Sequence, residues 1–267
     1  MKMGLYQNRI VVKVGTSTLT NDIGQNNLRS FDRLACVISD IQNLGYEVIL
    51  VSSGAIAVGA NKMNLKTRPT TMRLKQAAAA VGQCSIMFLY DKFFSDYDKT
   101  IAQILLTADD IEIEEKKENL INTFDSLLEM GVIPVVNEND SVSYTEIESV
   151  DKLFSDNDML SAIVAILCRA QKLVIFSDID GFYDSDPRLH PDARLIERIT
   201  KIDESIECLA GGAGSRRGTG GMKTKLQAAR LAGAQGIETI ITNGKNPAGL
   251  YDIVEGRQVG TLFTAGR

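Results

Sequence analysis

Short runs of valine, isoleucine and leucine, almost bare of polar residues, alternate along this chain with longer segments of helical period. That rhythm excludes most folds. A run that is apolar on both sides belongs to a strand covered on both faces, and a parallel sheet between two helical layers provides such cover. The runs are Arg9–Val14, Tyr46–Val51, Thr100–Leu106, Val132–Val136, Lys172–Phe176 and Ile237–Thr242. Between the first two, Leu28, Phe31, Leu34, Ala35, Ile38, Ile41 and Leu44 recur at helical spacing and stop at Gly45. Ser52–Gly59 reads as a turn into a helix, and further helices are expected over Gln76–Tyr90, Asp110–Met130, Asp158–Arg169 and Lys223–Ala234. The pattern predicts one continuous three-layer α/β/α sandwich with a mainly parallel central sheet, which a chain of 267 residues can fill. Ser141–Ser155, polar and acidic, reads as a β-hairpin flap. Asp184–Arg198, with two prolines and the only histidine, His190, reads as a surface loop.

Composition narrows the partners. The net charge of −5, from 29 basic and 34 acidic residues, argues against binding nucleic acid through its phosphate backbone. No apolar run approaches membrane-spanning length, and the N-terminus lacks the apolar core of a signal peptide. Cys36, Cys84, Cys168 and Cys208 lie far apart without a C-x-x-C pair, and three of them fall in apolar helical runs. Buried reduced thiols in a cytoplasmic protein are expected.

Ligands of open parallel sheets bind at the carboxyl ends of the strands, and those ends carry unusual residues here. Lys13, Gly15, Thr16 and Ser17 follow the first run, Ser52, Ser53 and Gly54 the second, Asn137, Glu138, Asn139 and Asp140 the fourth, and Ser177 and Asp178 the fifth. Lys13 is a lone cation inside a strand, costly to bury unless it is paired or reaches a site at the strand end. Asp156, Asn157 and Asp158 precede an apolar helix; a helix cap explains one of them and not all three. The stretch Gly218-Thr219-Gly220-Gly221-Met222-Lys223-Thr224-Lys225 joins glycines, a helix N-terminus and two lysines, a combination suited to phosphate. It is neither a Walker loop, since Met222 precedes Lys223, nor a dinucleotide fingerprint, since Lys223 stands where the last glycine belongs. With a single histidine, a reaction without a histidine base is expected. Phosphoryl transfer to a carboxylate qualifies, because an acceptor with a pKa of about 4 is already ionised at neutral pH.

Taken together, Lys13–Ser17, Ser52–Ala57, Val136–Val142, Ser155–Ala162 and Gly218–Ala229 resemble the motif set of the glutamate 5-kinase family, within the amino acid kinase superfamily. Asp180–Pro187 resembles the superfamily's nucleotide-side segment and Val259–Phe263 its closing strand. The resemblance implies ATP-dependent phosphorylation of the γ-carboxylate of L-glutamate. Residues 1–165 would mainly bind glutamate and residues 166–267 mainly ATP, in a single amino acid kinase domain. Lys13 and Lys225 would neutralise the phosphoryl group in flight, held by Asp158, with backbone N–H groups around Gly15 and Gly54 facing it. Ser53, Asp140, Asn157 and Asn137 match glutamate-binding positions. Lys13, Gly15, Ser177, Asp178, Thr219, Gly220, Gly221, Met222, Lys223, Thr224 and Lys225 match the nucleotide side, with Mg²⁺ arriving on ATP. The resemblance further implies a homo-oligomer, a dimer or tetramer, feedback by proline, and association with glutamate-5-semialdehyde dehydrogenase. Relatives with a C-terminal PUA domain extend beyond the closing strand, and this sequence, ending at Arg267, is expected to lack that domain. N-acetylglutamate kinase, aspartokinase or carbamate kinase chemistry and a catalytically silent sensor are the alternatives. Asp140 argues against an N-acetylated substrate, and the paired lysines argue against a mere binder. Arg216 and Arg217 carry no assigned role.

Overall fold

The computed structural model describes residues 4–21, 25–142, 156–210 and 221–265. Its strands are β1 Tyr6–Lys13, β2 Glu47–Val51, β3 Ile101–Leu106, β4 Ile133–Glu138, β5 Ala170–Ser177, β6 Arg198–Ile199, β7 Glu238–Asn243 and β8 Thr261–Phe263. The helices are α1 Thr16–Leu19, α2 Leu28–Asn43, α3 Ala55–Lys62, α4 Met72–Ser95, α5 Asp109–Glu112, α6 Glu114–Glu129, α7 Asn157–Leu167, α8 Glu204–Ala210, α9 Met222–Ala234 and α10 Gly249–Val254. The strands form one sheet in the order β3-β4-β2-β1-β5-β7-β8-β6. Neighbours run parallel apart from β7 and β8, which are antiparallel. From β1 the chain adds β2, then the edge strand β3, then inserts β4 between β2 and β3, and crosses to lay β5 on the other side of β1. The reversal places a crevice at the carboxyl ends of β1 and β5.

Two cores form, one on each face of the sheet. Ile10, Val12 and Val14 pack with Phe31 and Ile38 of α2, with Ile86 and Tyr90 of α4 and with Ile253 of α10. Val11 packs on the opposite face with Phe124 of α6, Leu160 and Val164 of α7 and Leu226 of α9. Side chains alternate along a strand, so Lys13 shares the face of Val11 and projects beneath α7 and α9. Parity within β1 thus decides which layer receives the cation.

Several expectations are refined. The single helix expected over Asp110–Met130 is divided into α5 and α6 by Ile113, whose backbone is extended at φ −86° and ψ 112°. Helix α4 starts before Gln76, at a Thr71 cap whose hydroxyl accepts from the Leu74 N–H. It lies against α3 with backbones in contact: a side chain on Gly59 would come within 1.7 Å of the Ala78 carbonyl oxygen. Of the thiols expected to be buried, Cys168 is, Cys36 is partly so, and Cys84 and Cys208 are exposed. Cys84 is correctly placed on a helix but faces solvent, because Gln83, Ile86 and Tyr90 occupy the inward face of α4. The flap expected over Ser141–Ser155 lies, but for its first two residues, outside the described residues.

Candidate active site

Asp158 organises the crevice. Its place is set by Asp156, which caps α7 by accepting from the N–H groups of Asp158 at 2.8 Å and Met159 at 3.2 Å. The cap leaves Asp158 in the first turn, where the helix dipole favours a carboxylate. Lys13 reaches it from β1 and Lys225 from the first turn of α9. The Lys13 Nζ lies 2.6 Å from Oδ1, and Lys225 donates to Oδ2 at 3.0 Å. Both contacts are buried ion pairs. The Thr224 hydroxyl also lies 2.9 Å from Oδ2. Burial alone pushes the Asp158 carboxyl up, but the two ammonium groups overcome it and bring it down to about 2. The side chain of Asp158 is wholly buried and each lysine side chain is only 9% exposed. Two cations on one anion leave a net positive charge. An anion about 4 Å from either ammonium would gain roughly 4 kcal/mol of Coulomb energy at an effective dielectric of about 20. The arrangement is a receptor for a multiply charged anion.

On one side of these lysines the second strand, the fourth strand and α7 meet. The Ser53 hydroxyl donates to the Val14 carbonyl at 2.9 Å and lies 3.2 Å from the Thr16 hydroxyl, which pins it to the end of β1. Gly54 then takes a left-handed turn, φ 94° and ψ 4°, to start α3; that conformation favours glycine. Asn157 donates through Nδ2 to the Ser52 carbonyl at 2.6 Å, 105 residues away in the chain, and to Asn137 Oδ1 at 3.1 Å. Asn137 donates onward to Gln83 Oε1 at 2.9 Å. Asp140 follows β4 in a partly buried position. Burial pushes its carboxyl up to about 7, and the charge of Glu138 adds to the effect. Ser53, Asn137 and Asn157, distant along the sequence, thus meet at the ends of β1, β2 and β4, and Asp140 stands three residues beyond Asn137.

The other half lies between the end of β5 and the start of α9. Ser177, Asp178, Phe182, Arg188, Met222 and Lys225 are among the residues lining it. Gly221 caps α9 and lines the same space. Gly15 follows Lys13 directly, and a side chain added there would meet the Lys13 ammonium at 3.8 Å. Lys225 lines this half and reaches Asp158. Lys223, two residues earlier, faces solvent and does not join the Asp158 cluster; residues two apart on a helix do not share a face. Thr219, Gly220, Arg216 and Arg217 lie outside the described residues.

Two contributors escaped the sequence reading. Arg188, from the segment read as a surface loop, pairs with Asp178 at 2.9 Å. Gln83 sits on the buried face of α4, and the signal for it was an amide at the helical spacing of Ala79, Ile86 and Tyr90. His190 is exposed, as expected.

Comparison with known proteins identifies the family. The amino acid kinase family profile matches residues 8–243. The glutamate 5-kinase of Clostridium perfringens is 56% identical over 257 residues, spanning 96% of this chain and 95% of its own. Those of Listeria innocua, at 52%, and Enterococcus faecalis, at 50%, cover this chain to 96% and 97% and are themselves covered to 93% and 95%. Among solved structures, an isopentenyl phosphate kinase superposes with a TM-score of 0.66 at 18% identity, over 96% of this chain and all of that one. A UMP kinase from Bacillus anthracis does so at 0.65 and 16%, over 97% of each chain. At such identities the structures attest the fold, while the sequence relatives attest the closer kinship. The chain belongs to the amino acid kinase family and, within it, to the glutamate 5-kinases.

Proposed function

We propose that this chain transfers the γ-phosphoryl group of ATP to the γ-carboxylate of L-glutamate, giving L-glutamate 5-phosphate, the first step of proline synthesis. The observation that carries the reading is the Lys13–Asp158–Lys225 cluster between two half-sites. A carboxylate oxygen forms a bond to the γ-phosphorus while the bond to the β,γ-bridging oxygen breaks, and that electron pair leaves on ADP. No proton moves, so no base is needed. What the step needs is charge neutralisation and alignment. Lys13 supplies an ammonium beside the acceptor half and Lys225 one that borders the nucleotide half, while Asp158 keeps both in place. Ser53, Asn137 and Asn157 hold glutamate, and an ionised Asp140 pairs with its α-ammonium. Ser177, Asp178 and the segment from Thr219 to Lys225 receive the nucleotide. Mg²⁺ on ATP would supply further neutralisation of the phosphates. Asp158, with both oxygens engaged by ammonium groups, fits an ion held by the nucleotide better than one held by the protein.

The proposal includes a division into a glutamate half, about residues 1–165, and an ATP half, about residues 166–267. Kinship with the glutamate 5-kinases supports extending it to a cytoplasmic homo-oligomer restrained by proline that hands its labile acyl phosphate to glutamate-5-semialdehyde dehydrogenase. Hydroxylamine trapping tests the central reading. Glutamate with ATP should yield a coloured hydroxamate and stoichiometric ADP. No hydroxamate from glutamate, with ADP release on N-acetylglutamate, aspartate or carbamate, would overturn it.

A further inference from the structure

Amide orientation around Asn157 has only one solution. The Ser52 carbonyl can only accept, so Asn157 must turn its NH₂ toward it, at 2.6 Å. The second proton of that NH₂ goes to Asn137 Oδ1 at 3.1 Å. Asn137, 2% exposed, must then send its own NH₂ the other way, where Gln83 Oε1 accepts it at 2.9 Å. The relay leaves one group of Asn157 uncommitted, its carbonyl oxygen. Oxygen suits an ammonium partner; NH₂ would suit a carboxylate.

Gln83 closes this relay from α4. The same helix steadies the other end, since the Tyr90 hydroxyl lies 3.1 Å from Ser52 Oγ. Gln83 is 8% exposed, and its Nε2 is buried without a hydrogen-bond partner among the described residues. An unpaired buried NH₂ is a cost that an apolar residue on the same stripe would avoid. What the glutamine contributes is its oxygen.

We propose that Gln83 is a positioning residue that sets substrate choice: by accepting from Asn137 it holds Asn137 Oδ1 toward Asn157 and so reinforces, beyond the hold of the Ser52 carbonyl, the orientation in which Asn157 presents oxygen, not NH₂, to the α-ammonium of the acceptor. The inference rests on the function proposed above. Glutarate, which is glutamate without the ammonium, isolates the effect. Gln83→Met removes the acceptor while keeping bulk, and Gln83→Glu keeps an acceptor while exchanging the NH₂ for a carboxyl oxygen. Gln83→Met should raise the KM for glutamate roughly tenfold, with kcat within about threefold and the KM for ATP unchanged. Its kcat/KM for glutarate should stay within about twofold, so the glutamate-over-glutarate preference drops roughly tenfold; Gln83→Glu should restore it.

An unchanged preference in Gln83→Met overturns the proposal. So does an equal loss on glutamate, glutarate and ATP together with a lowered Tm, which marks a merely structural role. Should Gln83→Met fail to fold, Gln83→Leu repeats the removal of the acceptor, and a lost preference in Gln83→Glu refutes the relay. A wild-type enzyme inactive on glutamate refutes the proposed function and this inference together, whereas an active wild type with an indifferent Gln83→Met refutes this inference alone.

Discussion

Replacing Asp158 by asparagine keeps the shape of the side chain and removes the charge between two lysines. The native carboxyl, lowered from 3.8 to about 2, implies roughly 2–3 kcal/mol of stabilisation by linkage. Removing one partner of a buried ion pair costs about 3–5 kcal/mol, because the remaining charge stays buried. In Asp158→Asn two like charges remain, and the new NH₂ presents a donor to an ammonium. The larger range therefore applies. For a domain of this size it corresponds to a Tm lowered by roughly 6–20 °C. An anion that fills the crevice should recover part of this, so a non-hydrolysable ATP analogue should raise the variant's Tm more than the wild type's. Catalysis should fall further than stability explains, with kcat down by about 10²–10³-fold, since both lysines lose their anchor. The sign of the pH effect follows from a depressed carboxyl. Wild-type stability is fully present above about pH 4 and declines as pH falls toward 2, and the variant lacks that part of the acid limb. Melting curves by differential scanning calorimetry and coupled ADP assays measure all three. A variant within 2 °C of wild type, with kcat within threefold, would show that the cluster neither holds the crevice together nor holds the lysines for the reaction.

Lys13→Ala and Lys225→Ala should each lower kcat by on the order of 10²-fold or more with a smaller change in the KM for glutamate; a pure KM effect on steady-state kinetics would refute the assigned roles. With Asp140 pushed up to about 7, kcat/KM for glutamate should fall as pH drops below that value, by about tenfold per unit at the limit. Asp140→Asn should raise the KM and abolish this limb, and a profile unchanged by the substitution would sink the ammonium pairing. Gly59→Ala, with its new methyl driven into the Ala78 carbonyl, should separate α3 from α4 and lower stability by about 3 kcal/mol. An unaltered Tm would contradict that packing.

Strand order along the chain, the two-sided burial of the strands and the choice of strand ends as the site were legible because they follow from local periodicity, which each segment carries in itself. Lys13, Asp158 and Lys225 were each conspicuous for a local reason: a cation in a strand, surplus carboxyl groups at a helix start, and lysine after glycines. The break at Ile113 escaped, since a helical pattern runs through it and only the backbone shows one extended residue. The exposure of Cys84 escaped as well, because an alanine-rich helix has a weak apolar face. Arg188 and Gln83 were silent for a deeper reason. Neither departs from what a loop or a helix tolerates, and each matters only through a partner, Asp178 for one and Asn137, 54 residues away, for the other.

The amino-acid sequence by itself determined the layered parallel architecture and the kinds of side chain offered at the strand ends, because apolar period and strand polarity are properties of short segments. Only the tertiary structure decided that two ammonium groups share one buried carboxylate, and that Asn157 binds the Ser52 carbonyl and Asn137. Ångström distances between residues far apart in the chain depend on how β1, α7, α9 and α4 are packed together. No local pattern encodes that packing.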